Sequence, residues 1–103
     1  MAGVSKSAAK ARLGDVPEEK RFWCHDGRHL TNLEELEAAL EQMTEETYRY
    51  HSNETKTDFS NWVRDVVGDE KLAKDLLNCT TPAQAVKSVA DRVKWLKIRA
   101  GIV

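Results

Sequence analysis

The sequence has no long apolar run. No stretch approaches the length of a membrane span, and the N-terminal region lacks the apolar core of a signal peptide. An excess of charge is also missing, since 16 basic residues face 17 acidic ones, which argues against a protein that coats DNA or a membrane surface. A chain of 103 residues is long enough for one domain that folds alone. We therefore expect a single soluble domain in the cytoplasm.

Cysteine and the common catalytic motifs are scarce. Cys24 and Cys79 form no C-x-x-C pair, which favours free thiols over a disulfide. Cys24, His25 and His29 lie close together, but zinc sites normally take four ligands, and neighbouring residues point to opposite sides of a strand. Phosphate-binding glycine loops, dinucleotide fingerprints and nucleophile elbows are not found. We predict no metal site and no cofactor.

The first 20 residues contain few large apolar side chains. Lys6, Lys10 and Arg12 make this segment basic, and residues 1–14 carry no acid. Such a composition buries too little surface to offset the entropy of ordering. We therefore predict a mobile basic tail over residues 1–20 and a single helical domain over residues 21–103.

Charge is unevenly distributed along the rest of the chain. Residues 31–50 hold six glutamates and one arginine, whereas the residues from Thr81 onward hold five basic residues and one aspartate. One interpretation is that an acidic and a basic helix lie side by side, or that both present solvated faces. The other is a polarised surface that orients a charged partner.

Apolar residues recur at helical spacing from residue 33 onward. Asp26-Gly27 between two short runs indicates a hairpin with a two-residue type I′ turn, in which Phe22, Trp23 and Leu30 cover one end of the core. The predicted fold is mainly α: a compact bundle of about five short helices around a Leu/Val/Trp core, with a small N-terminal β-hairpin or extended segment.

Several residues are typical of helix ends. Thr31 with Glu34 fits a capping box, and Thr57 or Asp58 is positioned to cap the helix that carries Phe59 and Trp62. Four further signals involve glycine, proline and aspartate. They are Gly68 as a helix end, Asp69 as the next cap, Thr81-Pro82 as the start of the last helix, and Gly101 as its end.

The last helix places a tryptophan on its outer side. At about 100° per residue, Val86, Val89, Ala90, Val93 and Lys97 form the predicted inner stripe, and Trp95 falls nearly opposite them. Trp95 either packs against the hairpin or the tail, or stacks on Arg92 or Arg99. Alternatively it belongs to a recognition face, since Trp and Arg are enriched at interfaces. The predicted partner-binding residues are Trp95, Arg92, Arg99, Tyr48, Tyr50 and His51.

Two other functions are considered. A nucleic-acid-binding protein would use the basic tail and the C-terminal helix, where stacking and phosphate contacts are available. The predicted contacts are Lys6, Lys10, Arg12, Lys94 and Lys97. A small enzyme would use a His51–Asp58 pair across the loop between two helices. The more ordinary interpretation is that this pair hydrogen-bonds loop backbone and fixes the turn.

The middle of the chain resembles a family of small uncharacterised domains found in archaea and some bacteria. The resemblance rests on the pattern Tyr50-His51, Lys56-x-Asp58-Phe59-x-x-Trp62-Val63-x-x-Val66-x-Gly68-Asp69-x-x-Leu72-Ala73. It covers about residues 22–77. The family's usual Lys-Asn-Asp-Phe stands here as Lys56-Thr57-Asp58-Phe59. The resemblance implies a fold, an archaeal source and a cytoplasmic location, and it carries over no catalytic residue.

We therefore expect a non-enzymatic binding or adaptor module that acts through a protein or ribonucleoprotein partner. The alternatives are an RNA- or ribosome-associated protein and a small enzyme that uses His51 and Asp58; a homodimer is also considered. If Trp95 and Arg92 serve only a partner, Trp95→Ala or Arg92→Glu should abolish partner recovery and leave the melting temperature nearly unchanged.

Overall fold

The computed structural model describes residues 3–102 of the chain. Within them the chain forms six α-helices and one two-stranded hairpin, which confirms the mainly α fold with a small N-terminal hairpin. No helix in this part of the chain is both long and apolar enough to cross a membrane. The elements are α1 (Lys6–Leu13), β1 (Phe22–Trp23), β2 (His29–Leu30), α2 (Leu33–Gln42), α3 (Glu45–His51), α4 (Asp58–Trp62), α5 (Glu70–Leu77) and α6 (Pro82–Ala100).

The basic N-terminal segment is part of the domain, which corrects the prediction of a separate tail over residues 1–20. Ser5 caps α1 by accepting from the Ala8 amide at 3.1 Å. Ala9 is completely buried, and α1 packs along the C-terminal half of α6. Small alanines allow this close approach, and Val4 and Leu13 at the two ends of the segment pack against the core. The prediction failed because it looked for many large apolar side chains, and this helix needs few. Residues 1 and 2 of the predicted tail lie outside the described residues.

The hairpin forms at the predicted place with a different turn. Phe22 pairs with Leu30 and Trp23 with His29. The Gly27 amide donates to the Cys24 carbonyl at 2.9 Å, and the Cys24 amide donates to the Arg28 carbonyl at 2.8 Å. Gly27 has a positive φ of 98°. Within the described part of the chain, only glycines have a positive φ. The loop is therefore a three-residue turn that ends in a left-handed glycine, not the predicted two-residue turn.

Two details of the hairpin and α2 differ from expectation. Trp23 is exposed and lies beside the His29 ring, so only Phe22 and Leu30 face the core. Asn32, one residue after the predicted Thr31, caps α2 by accepting from the Glu35 amide at 2.8 Å. Glu35 in turn accepts from the Thr31 amide at 2.7 Å. The capping arrangement is shifted by one residue because Asn is an equally good cap.

The acidic and basic helices lie side by side. Lys97 Nζ of α6 is 2.7 Å from Glu34 Oε2 at the start of α2, and Leu40 near the end of α2 shares a cleft with Pro82 at the start of α6. The two helices are therefore antiparallel. The buried side of α6 is rotated from the predicted stripe, since Ala90 is only partly buried. The buried residues of α6 are Ala85, Val89, Val93, Leu96 and Ala100.

The helix that carries Phe59 and Trp62 widens before it ends. Residues Val63–Val67 form one π turn, in which the Gly68 amide donates to the Val63 carbonyl at 2.8 Å. Gly68 then reverses the chain with φ 87°, a left-handed conformation that glycine adopts without steric cost. This turn delivers Asp69 to the start of α5, where its side chain accepts from the Leu72 amide at 3.0 Å.

Asp69 joins three helices from a fully buried position. Its Oδ2 accepts from Arg92 Nε of α6 at 2.8 Å, and Arg12 Nη1 of α1 is 3.8 Å away. Its side chain is 0% exposed and that of Arg92 is 10% exposed. A buried carboxylate is tolerated only when it is paired and hydrogen-bonded, which both arginines and the Leu72 amide provide here.

Replacing Asp69 by alanine should lower the free energy of unfolding by about 3 kcal/mol, because Arg92 loses its buried partner and α5 loses its cap. Asp69→Asn should cost less, since the amide oxygen still caps α5. Asp91→Ala removes an exposed partner of Lys87 and should change stability by less than about 1 kcal/mol. Urea unfolding followed by circular dichroism measures all three; equal losses for Asp69→Ala and Asp91→Ala would contradict this account.

Candidate functional site

The outer side of the last two turns of α6 carries exposed apolar residues. Trp95 is 43% exposed, Ile98 57% and Ile102, just after the helix, 59%. Trp95 and Ile98 are three residues apart and therefore neighbours on one side of the helix. We call these three residues, with Lys94 and Arg99, the C-terminal surface. Trp95 was predicted from the sequence and both isoleucines were missed, although the same 100° spacing places Ile98 on the outer side.

The Trp95 indole is held in place by Arg92. The guanidinium carbon of Arg92 lies 4.5 Å from the centre of the indole ring, within the range of a cation–π contact. Both interpretations of Trp95 therefore describe part of its surroundings: it stacks on Arg92, and it faces outward. Because Asp69 fixes Arg92, the ring rests on a side chain that cannot move freely.

Arg92 itself is not available to a partner, which corrects its prediction as a binding residue. Its guanidinium is turned inward to Asp69. The expectation that Arg92→Glu leaves the melting temperature unchanged therefore has no structural basis, since the substitution would place a second carboxylate beside a fully buried one.

A cleft separates α5 from α6 beside Trp95. It has a volume of about 490 Å³ and is lined by Lys71, Asp75, Ser88, Asp91, Arg92 and Trp95. A second cleft of about 370 Å³ shares Asp75, Ser88 and Asp91 with the first and extends toward Gln84. The two clefts therefore form one groove along the outer side of the α5–α6 pair.

The basic residues of α1 and α6 meet at the end of the molecule that carries the C-terminal surface. Arg99 Nε donates to the Val4 carbonyl. The Lys6 side chain lies against Gly101, where a Cβ would be 3.1 Å from Lys6 Cε. Arg12 and Lys97, by contrast, are paired with Asp69 and Glu34. Within residues 3–102, ion pairs to carboxylates are not made by Lys6, Lys10, Lys94 or Arg99.

Tyr48 and His51 are buried, which corrects their prediction as partner contacts. Tyr48 packs against Phe59 and donates to the Cys79 carbonyl at 3.4 Å; burial raises the pKa of its hydroxyl. His51 is 4% exposed. Tyr50 alone of the three is exposed, and its ring is stacked on His25 at 3.9 Å. It is far along the chain from α6, and no contact joins it to the C-terminal surface among those described.

Both nitrogens of the His51 ring are hydrogen-bonded. The His25 amide donates to Nε2 at 2.8 Å, and Nδ1 lies 3.0 Å from Asp58 Oδ2. Because a backbone amide only donates, Nε2 is the acceptor and Nδ1 carries the proton. Lys56 Nζ is 3.3 Å from the same Asp58 oxygen. The His51–Asp58 contact spans the turn between α3 and α4, as the structural interpretation expected. The backbone that His51 binds belongs to the hairpin loop, however, and not to that turn.

The arrangement around His51 leaves no nitrogen free to act as a base. Its Nε2 lone pair is occupied by the His25 amide, and the ring is enclosed by Phe22 and Phe59 at centroid distances of 5.0 and 5.3 Å. Four clefts on residues 3–102 are lined by side chains other than His51 and Asp58. The geometry therefore favours a structural His51.

The cysteines and the remaining histidines lie apart from one another. Cys24 is buried, which raises the pKa of its thiol, and Cys79 is partly buried; both are free. His25 stacks on Tyr50 and His29 on Trp23. Within residues 3–102 no three His, Cys, Asp or Glu side chains are grouped so that they can hold a metal ion.

Comparison with protein-family models, with curated proteins and with solved structures finds no match to this chain. The resemblance carried by Tyr50-His51 and the pattern that follows it therefore stays a prediction.

Replacing His51 by alanine should lower the free energy of unfolding by about 3 kcal/mol, because the His25 amide loses its acceptor and a cavity opens between Phe22 and Phe59. The exposed His29 provides the control, and His29→Ala should cost less than about 0.5 kcal/mol. Urea unfolding measures both. A His51→Ala protein as stable as the parent would contradict the structural role.

Proposed function

We propose that this chain is a binding module that docks a partner protein on its C-terminal surface. The observation that carries the proposal is the exposed Trp95 indole held by the Arg92–Asp69 pair. Single exposed apolar residues are common on protein surfaces. A tryptophan on a fixed support beside Ile98 is different, because its binding surface is ordered before the partner arrives, and less entropy is lost on binding.

The proposal needs no catalytic group, metal or cofactor in the chain. Trp95 supplies a large contact area with few rotatable bonds, and tryptophan is among the residues that most often dominate binding energy at interfaces. The groove between α5 and α6 adds mixed charge beside the ring, from the Lys71–Asp75 and Lys87–Asp91 pairs. Polar residues around an apolar centre are the usual arrangement of a protein interface.

Trp95→Ala should abolish recovery of a partner from native lysate, because the central contact is lost. Its melting temperature should stay within a few degrees of the parent, since the ring is partly exposed and Arg92 keeps its bond to Asp69. Trp23→Ala is the matched control, because Trp23 is also exposed and lies on the hairpin. Affinity capture with quantitative mass spectrometry compares the three proteins. Equal recovery by Trp95→Ala and the parent would overturn the proposal.

A second candidate function is binding of single-stranded RNA, and it is favoured by the meeting of α1 and α6. Lys6 lies at the end of α6 and Arg99 binds the backbone before α1, so two basic segments that are distant in sequence form one basic end. Trp95 would then stack on a base. Of the predicted phosphate contacts, Arg12 and Lys97 are already paired with carboxylates, which leaves Lys6, Lys10 and Lys94.

If RNA is the ligand, affinity for a 20-nucleotide poly(U) strand should fall with salt. Three phosphate contacts predict a slope of about −2 in a plot of log K against log salt concentration. Lys94→Glu should make that slope shallower, whereas Arg49→Glu, on α3, should not. Fluorescence anisotropy between low and moderate salt measures this. Binding that does not depend on salt, or no binding at low salt, would exclude this candidate.

A further inference from the structure

We propose that the partner segment received by the C-terminal surface is an acidic amphipathic helix. This inference rests on the proposed binding function and adds the chemistry of the partner. The helix that occupies the C-terminal surface presents an apolar stripe to Trp95 and Ile98. It presents carboxylates to the lysines and the arginine around them.

Charge complementarity is the first argument. Within residues 3–102 the ion pairs neutralise Arg12, Arg92 and Lys97. The same end of the molecule retains three cations without a carboxylate neighbour among the described residues: Lys6, Lys94 and Arg99. A ligand with carboxylates at its edges would compensate this charge, and an uncharged or basic ligand would not.

The apolar part of the surface gives the second argument. Trp95 and Ile98 are exposed at a three-residue spacing on a 19-residue helix. The ridge that they form is matched by apolar residues at the same spacing on a helix that lies along it. The groove beside the ridge continues from Trp95 toward Gln84. At 1.5 Å per residue this is about 17 Å, or three turns of a partner helix.

Two other occupants fit less well. In a symmetric pair of copies Lys94 and Arg99 of one would approach those of the other, and like charges in an interface are unfavourable. In an RNA complex Trp95 could stack, but the Ile98 side chain would be buried against phosphate and sugar without an apolar partner. An acidic amphipathic helix pairs both the apolar and the charged groups.

The test uses the full chain labelled with ¹⁵N and three probes: a synthetic 18-residue helical peptide with leucine on one face and glutamate on the others, its lysine-for-glutamate counterpart, and 20-nucleotide poly(U). The acidic peptide should shift the Trp95 indole N–H signal and the Ile98 amide, with saturation below millimolar concentration. Lys94→Glu should weaken this binding about tenfold through repulsion of the peptide carboxylates. The matched charge reversal on α3, Arg49→Glu, should leave it unchanged.

Each other outcome overturns the inference. Equal shifts with the lysine peptide would remove the role of charge, and tighter binding of poly(U) at the same signals would assign the surface to RNA. A Trp95-dependent dimer in analytical ultracentrifugation would assign it to a second copy. If the acidic peptide fails while partner recovery still depends on Trp95, the inference about partner chemistry fails and the binding function stands; if both fail, the binding function falls as well.

Discussion

The buried ion pair between Asp69 and Arg92 is the constraint on which the rest of the structure depends. A fully buried carboxylate is costly, and it is retained here because it meets two arginines and the Leu72 amide. Each of these partners comes from a different helix. The helix ends of α1 and α5 and the middle of α6 must therefore lie at one place for the charge to be compensated, and this requirement sets how the three helices pack.

The same pair accounts for the exposed tryptophan. A guanidinium that is bound to a buried carboxylate has little freedom, and an indole that stacks on it shares that restriction. Trp95 is therefore both ordered and half exposed, a combination that a ring with only solvent or flexible side chains beside it would not have. The buried Asp69–Arg92 pair thus orders the exposed Trp95 ring, so that the packing of the helices and the proposed recognition depend on one interaction.

Local features of the fold were predictable from sequence, and long-range ones were not. Gly68, Asp69, Thr81 and Gly101 carry out the predicted helix-end roles because caps depend on neighbouring residues only. The pairing of Asp69 with Arg92 spans 23 residues and has no signal in spacing. For that reason Arg92 was wrongly predicted to lie on the partner surface. The π turn at residues 63–67 likewise had no recognised signal in the sequence.

The candidate site shows the same division. The outward position of Trp95 followed from helical periodicity, and Ile98 was available from the same argument. Tyr48 and His51 were misplaced because aromatic and polar residues at a helix end are found both in cores and on surfaces. A buried position differs from a surface position in that every polar atom of the side chain must find a hydrogen-bond partner within the protein. Both nitrogens of His51 do, so that residue has nothing left to offer a ligand. Lys94, by contrast, has no carboxylate partner within residues 3–102 and lies beside exposed apolar side chains. For that reason the proposed docking surface is the C-terminal surface and not the region around His51.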